Sequence, residues 1–504
     1  MLRALVSSAV LCTAAVTQSP TQLRAPRIWD DAALADWALP LVGLGEAPTQ
    51  LSTADYYRAP LDNLRTYPVY HPDREPDGYR AGLLARGPQP LIETDRLLTE
   101  ADWIAAGARV FDELDVSKSR TDDPEVLAHF SDGASIDRYR MDRLDHMTPD
   151  GVLINYRWVV DHDRKLKLSL RSCADCHTRV MADGSLLPGA PSNTDLAPSP
   201  ATFRLLARLD QYAATAGENL YAQFGVPWLE DDAHSPMRSW SDEQVDAFRS
   251  QPTNSPPGAT FDRFNGSPFF TTRMADLRGI GHRRYLDATA THRNRSPEDL
   301  ARYAILVEYA EPGVFGAHRL IPRETFERDR RRADDAAMYA LALYLYSLEV
   351  PPSPHPQDEQ TRRGAQVFAE EGCKRCHEPP HYTNNRLVPV PGFEPPAEQV
   401  QRWQLQVMDR TVDTDPGLAT RTRKGTGYYK VPSLRGLWYR DLLGHDGSIT
   451  SLEQWFDEAR LSADYQPSGW RGPGVTHRAV PGHEFGLDLD AADKAALIAF
   501  LRTL

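Results

Sequence analysis

One pattern with the residue types and spacing for redox chemistry occurs twice in this chain. It stands at Cys173-Ala174-Asp175-Cys176-His177 and again, two hundred residues on, at Cys373-Lys374-Arg375-Cys376-His377. Cys-x-x-Cys-His attaches a c-type haem: both thiols form thioethers to the porphyrin edge, and the adjacent imidazole becomes the proximal iron ligand. The short spacing lets one tight turn present two sulfurs and aim the histidine at the metal. A split zinc ribbon and a thioredoxin-like dithiol also use Cys-x-x-Cys, but neither accounts for a histidine directly after both pairs. The reading is two covalently attached haems c, one on Cys173, Cys176 and His177 and one on Cys373, Cys376 and His377.

The fifth cysteine, Cys12, lies in a stretch that reads as an export signal over residues 1–17: Arg3 supplies the positive start, and Ala4 to Val16 form an apolar run too short to span a bilayer. Its removal leaves only haem cysteines, and no other stretch is long and apolar enough to be a membrane span. The expected location is the periplasm or the exterior, where c-type haem is attached. A hydrophobic content of 41% and a charged content of 25% fit a globular chain, and 40 prolines predict many loops. A net charge of −13 argues against nucleic acid as a partner.

The elements that must hold the two motifs also recur. Gly107-Ala108-Arg109-Val110-Phe111 has a near copy at Gly364-Ala365-Gln366-Val367-Phe368, Leu277-Arg278-Gly279-Ile280 at Leu434-Arg435-Gly436-Leu437, and the apolar run Ala340–Leu348 at Ala496–Leu504. Each half therefore has an opening helix, a haem motif, a long loop region and a closing helix. The expected fold is mainly α: duplicated cytochrome c domains with long loops and a small β-hairpin. The expected boundaries are an N-terminal extension at 18–99 anchored by Trp29 and Trp37, a first cytochrome c domain at 100–350 and a second at 357–504, joined by the proline-rich linker Pro351–Pro356. Gly364 is the expected point of close approach between the second pair of helices, beside Phe368, Leu497, Phe500 and Leu501. In the second half four residues separate Phe368 from Cys373, whereas sixty-one separate Phe111 from Cys173. That insertion carries the hairpin, with Val152–Val160 as one strand, a turn at Asp161–Arg164, and Leu166, Leu168 and Leu170 alternating on the other.

From about Glu100 onward the chain resembles the bacterial di-haem cytochrome c peroxidase superfamily. The best local match is Tyr429-Lys430-Val431-Pro432-Ser433-Leu434-Arg435-Gly436 through His445-Asp446-Gly447-Ser448 to Leu452-Glu453. The ending Gly482-His483-Glu484-Phe485-Gly486 is more similar to the di-haem rubber-oxygenase branch. The resemblance implies a division of labour. The haem on His177 would be the reactive one, meeting peroxide or dioxygen, and the haem on His377 would transfer electrons from a redox partner protein or small-molecule donor. Two departures stand out: Thr178 to Pro200 contains no histidine, and Ala459 occupies the place fourteen residues after His445 where such peroxidases carry a methionine or tyrosine ligand.

Met408, His445 and His483 are the candidates for sixth ligand to the second iron. The oxygenase-like resemblance favours His483, while His445 repeats His292 and reads as a structural or propionate-binding residue. For the first iron, Met237, Met274, His282 and His292 are available without further support, and an open or water-occupied position is expected. Trp158 and Trp228 are candidates for electron-transfer aromatics, with ordinary packing the alternative. The function expected is a di-haem peroxidase- or oxygenase-like oxidoreductase; the alternative is a non-catalytic di-haem electron carrier.

Overall fold

The computed structural model describes residues 23–116, 120–140, 147–170, 172–193, 213–250, 260–261, 266–311, 313–328 and 330–504. The expected signal segment lies outside them, as do parts of the insertion and of the loop after the first motif. The secondary structure is more mixed than expected, 36% helix and 12% strand, with the strands spread over several small sheets.

Two helix pairs form the frame. Helix α1 (Glu100–Glu113) starts at Thr99, which shares a reciprocal capping box with Asp102, and buries Trp103, Ala106, Gly107, Val110 and Phe111 on one stripe. It packs against α3 (Asp335–Ser347), with α2 (Pro297–Tyr309) behind. In the second half α4 (Glu359–Glu370) is capped by Asp358 and Thr361 and packs against α5 (Ala491–Arg502). Both crossings turn on a glycine. A Cβ on Gly107 would fall on the carbonyl of Ala340, and one on Gly364 on the carbonyl of Ala496. Glycine lets the backbones touch there, as expected for Gly364, and Phe368 and Phe500 meet at a tilt beside the contact with centroids 5.3 Å apart.

After each motif the chain returns through an equivalent turn. Gly279 and Gly436 take left-handed φ values of 67° and 83° and open one-turn 3-10 helices, Ile280–His282 and Leu437–Tyr439. Their N–H groups donate to the ends of the closing helices, Gly279 to Leu348 at 2.7 Å and Gly436 to Leu504 at 2.8 Å. The linker follows the same junction: Trp438 Nε1 donates to the Pro351 carbonyl at 3.4 Å and Ser353 Oγ to the Arg502 carbonyl at 2.6 Å.

The hairpin forms as expected, β2 (Val152–Val160) against β3 (Leu166–Leu170), but it gains a third strand, β1 (Thr66–Tyr70), from the N-terminal extension. Arg120 fastens this region, donating to Asp62 at 2.8 Å and to Asp115 at 2.5 Å, with Asp161 at 3.4 Å. Trp29 and Trp37 are buried in the core of the first helix pair, and Trp37 Nε1 donates to the Arg293 carbonyl at 3.0 Å. Trp158 lies in the core of the three-stranded sheet under Arg80, and Trp228 stacks on Phe315 at 5.0 Å.

Gly364→Ala should lower stability by about 1–3 kcal/mol, because overpacking at a backbone contact outweighs the better helix propensity of alanine. Gly82→Ala, in the helix Tyr79–Arg86 where a Cβ would meet nothing nearer than Arg86 Nη2 at 3.9 Å, should instead leave the melting temperature unchanged or raise it. Thermal melts of the two variants followed by far-UV circular dichroism compare them directly.

Candidate functional site

The second motif is set by a helix stop. Gly372, at φ 73°, ends α4 and turns Cys373–Arg375 into a 3-10 segment, and the His377 N–H then closes back onto the Cys373 carbonyl at 2.9 Å. His377 is buried, and its Nδ1 is 3.1 Å from two carbonyl oxygens, those of Tyr382 and Pro432. Carbonyls only accept, so Nδ1 carries the proton and the Nε2 lone pair is left for a metal. Burial lowers the pKa of His377, which keeps it neutral as a ligand must be.

Opposite His377 stands His483, with ring centroids 6.3 Å apart and planes at 57°. An iron between two imidazoles, with metal–nitrogen bonds of ~2 Å and about 1 Å from each nitrogen to its ring centre, needs roughly 6 Å. His483 is held in this place at some conformational cost, since its φ is 52°. Gly482 before it sits at φ 80°, where a side chain would collide with the backbone of Asp413 and Thr414. The His483 N–H donates to the Val412 carbonyl at 2.7 Å. The fully buried Arg460 donates to the carbonyls of Trp455, Val480 and His483 at 2.8, 2.6 and 2.9 Å. Burial and the facing His377 bring the pKa of His483 down to about 4, and its Nδ1 is buried without a hydrogen-bond partner.

The rival candidates sit elsewhere. Met408 is buried with Val388 and Val431 on the Cys376 side, where its sulfur accepts from Asn384 Nδ2 at 3.5 Å. His445 stacks on Tyr429 with centroids 4.4 Å apart, its Nε2 4.0 Å from Asp415.

The first motif forms a single helical turn, Cys173–His177, in which the Asp175 carboxylate accepts from the Ser172 N–H at 2.6 Å. His177 Nδ1 lies 3.0 Å from the Ala275 carbonyl, so the same tautomer follows. Ala275 stands two residues before Leu277, as Pro432 stands two before Leu434; the duplication thus supplies the same acceptor to both motif histidines. Among the other candidates, His282 stacks on His381 at 3.8 Å and His292 packs between Trp37 and Tyr303. Met237 and Met274 are buried.

None of the four motif cysteines is in a disulfide. Burial pushes Cys373 up to about 11 and raises Cys173 and Cys376 as well. Such surroundings suit neutral thioethers, not the thiolates that zinc or a dithiol redox pair requires. Arg273 stands two residues before Ala275 and Lys430 two before Pro432, and with Arg283 they form a buried cationic group. Burial and Arg440 lower Arg273 to about 10, burial with Arg283 and Arg273 lowers Lys430 to about 7, and Arg283 is lowered by burial and by Arg440. Positive groups held against their own repulsion call for anions, and haem propionates have that chemistry. The residues present therefore fit haem: two imidazoles in the ligating tautomer, a ring opposite one of them at ligand distance, buried thiols, and cations for carboxylates.

Over part of its length the chain is similar to bacterial cytochrome-c peroxidases. Its curated relatives are cytochrome-c peroxidase IdrP1 of Pseudomonas sp. (strain SCT), 29% identical over 163 residues, and the protein of the same name from Denitromonas iodatirespirans, 26% identical over 161 residues. Each match takes in 29% of this chain and only 40% of the relative's length. No protein-family model matches the chain. Looser likenesses to solved structures include a Kuenenia stuttgartiensis hydrazine synthase (14% identity, 60% of this chain and 92% of that one, TM-score 0.28). A MauG-like protein associated with microbial copper homeostasis follows (17%, 46% and 73%, 0.29), and a variant of the di-haem peroxidase BthA from Burkholderia thailandensis (16%, 42% and 59%, 0.21). No helix among the described residues is long and apolar enough to cross a membrane.

A second constellation escaped the sequence reading. His234 Nδ1 donates to the Asp232 carboxylate at 2.9 Å and its Nε2 pairs with Ser267 Oγ at 2.7 Å, in the order of a hydrolytic triad. All three side chains are buried, and Ser267 Oγ already accepts from the N–H groups of Phe269 and Phe270 at 3.1 and 3.2 Å. The group ties a loop together. A fluorophosphonate probe should leave Ser267 unlabelled on mass spectrometry, and Ser267→Ala should cost about 1–3 kcal/mol of stability by leaving the buried His234 Nε2 unpaired.

Proposed function

We propose that the chain is an exported di-haem c-type oxidoreductase in which the haem on His177 meets peroxide or dioxygen and the haem on His377, closed by His483, passes electrons. The observation that carries this reading is the opposition of His377 and His483 at 6.3 Å. Two imidazoles at that spacing would hold an iron from both sides and leave it no open position, so substrate chemistry would fall to the other motif. When bound, haem supplies one-electron iron chemistry and, at an open position, coordination of a small oxidant.

The chain's own residues do the rest. The Ala275 and Pro432 carbonyls orient the two proximal imidazoles and raise their basicity through the Nδ1 proton. Arg460 and Gly482 hold the His483 loop against the second site. Arg273, Arg283 and Lys430 are the cations that would balance propionate charge. The curated relatives are named peroxidases, which supports peroxide as the oxidant and a redox protein or small-molecule donor as the electron source. The Gly482–Gly486 ending, similar to the rubber-oxygenase branch, supports dioxygen.

The test is ligand stoichiometry. A pyridine haemochrome assay should give two haems per chain, and the reduced protein should bind one carbon monoxide. His177→Ala should abolish that binding while the low-spin signal of the second haem persists. No ligand binding in either oxidation state would replace the enzyme with an electron carrier.

His483→Gly should convert the second haem from low to high spin and raise carbon monoxide uptake from one per chain to two. Met408→Ala should leave the spin state alone, and the reverse pattern in magnetic circular dichroism would move the ligand to Met408.

A further inference from the structure

The two halves use one device to hold the turn that follows the carbonyl orienting the motif histidine. Arg283 donates to the carbonyls of Asp276 and Arg278 in the first half, and Arg440 to those of Ser433, at 3.0 Å, and Arg435 in the second. The device is symmetric except at one position. Where the second half has Ser433, whose hydroxyl donates within its own half to the His381 carbonyl at 2.6 Å, the first has Asp276. The Asp276 carboxylate crosses to the other half, accepting from Arg440 Nε and Nη2 at 3.1 and 2.9 Å and from Tyr439 Oη at 2.8 Å.

That crossing completes a continuous route between the motif histidines. It runs from His177 Nδ1 to the Ala275 carbonyl (3.0 Å), along one peptide to Asp276, across to Arg440 (2.9 Å), and on to the Ser433 carbonyl (3.0 Å). One more peptide leads to Pro432, whose carbonyl meets His377 Nδ1 at 3.1 Å. Every step is a covalent bond or a hydrogen bond, and both charged side chains are buried, with relative exposures of 4% and 5%.

We propose that Asp276 and Arg440 are positioning residues that couple the two proximal histidines, forming the electron path between the haems. The inference rests on the di-haem reading above. One electron leaves the reduced haem on His377 and reduces the oxidised haem on His177; no bond forms or breaks and no proton must move. A buried ion pair is a weak source of stability, because desolvation offsets most of its attraction, so a role as an interface clamp alone gives little reason for placing it here. Hydrogen-bonded chains polarise one another in a dry interior, and partners beyond the metal ligands tune the metal through them.

The experiment uses the fully loaded chain with both haems counted. Interhaem electron transfer is followed after flash photolysis of carbon monoxide from the half-reduced protein, and each haem's potential by spectroelectrochemistry. Asp276→Ala and Arg440→Gln should each slow the transfer by about tenfold or more, the scale of outer-shell losses at metal sites. The double variant should be no slower than either, since both break one path. Asp276→Asn, which keeps shape and an acceptor oxygen, should fall between and guards against misfolding of the alanine variant. Asn385→Ala removes a different contact between the halves, to the His282 carbonyl at 2.9 Å, and should leave the rate unchanged. Fewer than two haems, or no carbon monoxide binding, strikes the di-haem reading. Two haems, normal binding and an unchanged rate in Asp276→Ala and Arg440→Gln overturn this inference, even if both variants melt at lower temperature.

Discussion

Each motif histidine gives its Nδ1 proton to a backbone carbonyl two residues before a Leu-Arg-Gly turn, and much of the chain serves to bring carbonyl and imidazole together. The histidine arrives on a short turn whose position depends on an opening helix, and the carbonyl arrives on a loop pinned to the end of a closing helix. Whatever fixes the crossing of those two helices therefore fixes the tautomer and aim of the imidazole. This is why the crossing glycines, Gly107 and Gly364, matter to chemistry that neither touches.

The two halves meet this requirement with unequal surroundings. In the second half the motif follows α4 directly, and the loop carrying His483 folds over it under the control of Arg460. In the first, the long insertion and the N-terminal extension build a sheet and an ion-pair cluster on Arg120 before the chain reaches Cys173. The duplicated frame is common to both, and the difference between the two sites belongs to what each half has added around it.

Much of this was legible in residue order because it is local or periodic. The paired motifs, the strands of the hairpin and the repeated Gly-Ala-x-Val-Phe runs carry their own patterns, and the structure sets them where those patterns imply. The third strand at Thr66–Tyr70 escaped notice because a proline interrupts its alternation and its partner lies far along the chain. Arg460, Asp276 and Arg440 bear no signature at all: each has a hydrogen-bond partner distant in sequence, and an isolated arginine or aspartate reads as surface charge until the fold buries it. His483 stood out only through the resemblance of its glycine-flanked segment. Its left-handed backbone and its distance from His377 are properties of the folded loop.

The grouping of Arg273, Arg283 and Arg440 around Asp276, with Lys430 nearby, also sets the charge balance of the seam between the halves. Three guanidiniums stand around one carboxylate there, so the seam carries an excess of positive charge in a chain whose net charge is −13. The acidity of the molecule as a whole thus conceals an interior of the opposite sign, and a small anion that enters the seam meets attraction where the outer surface would repel it.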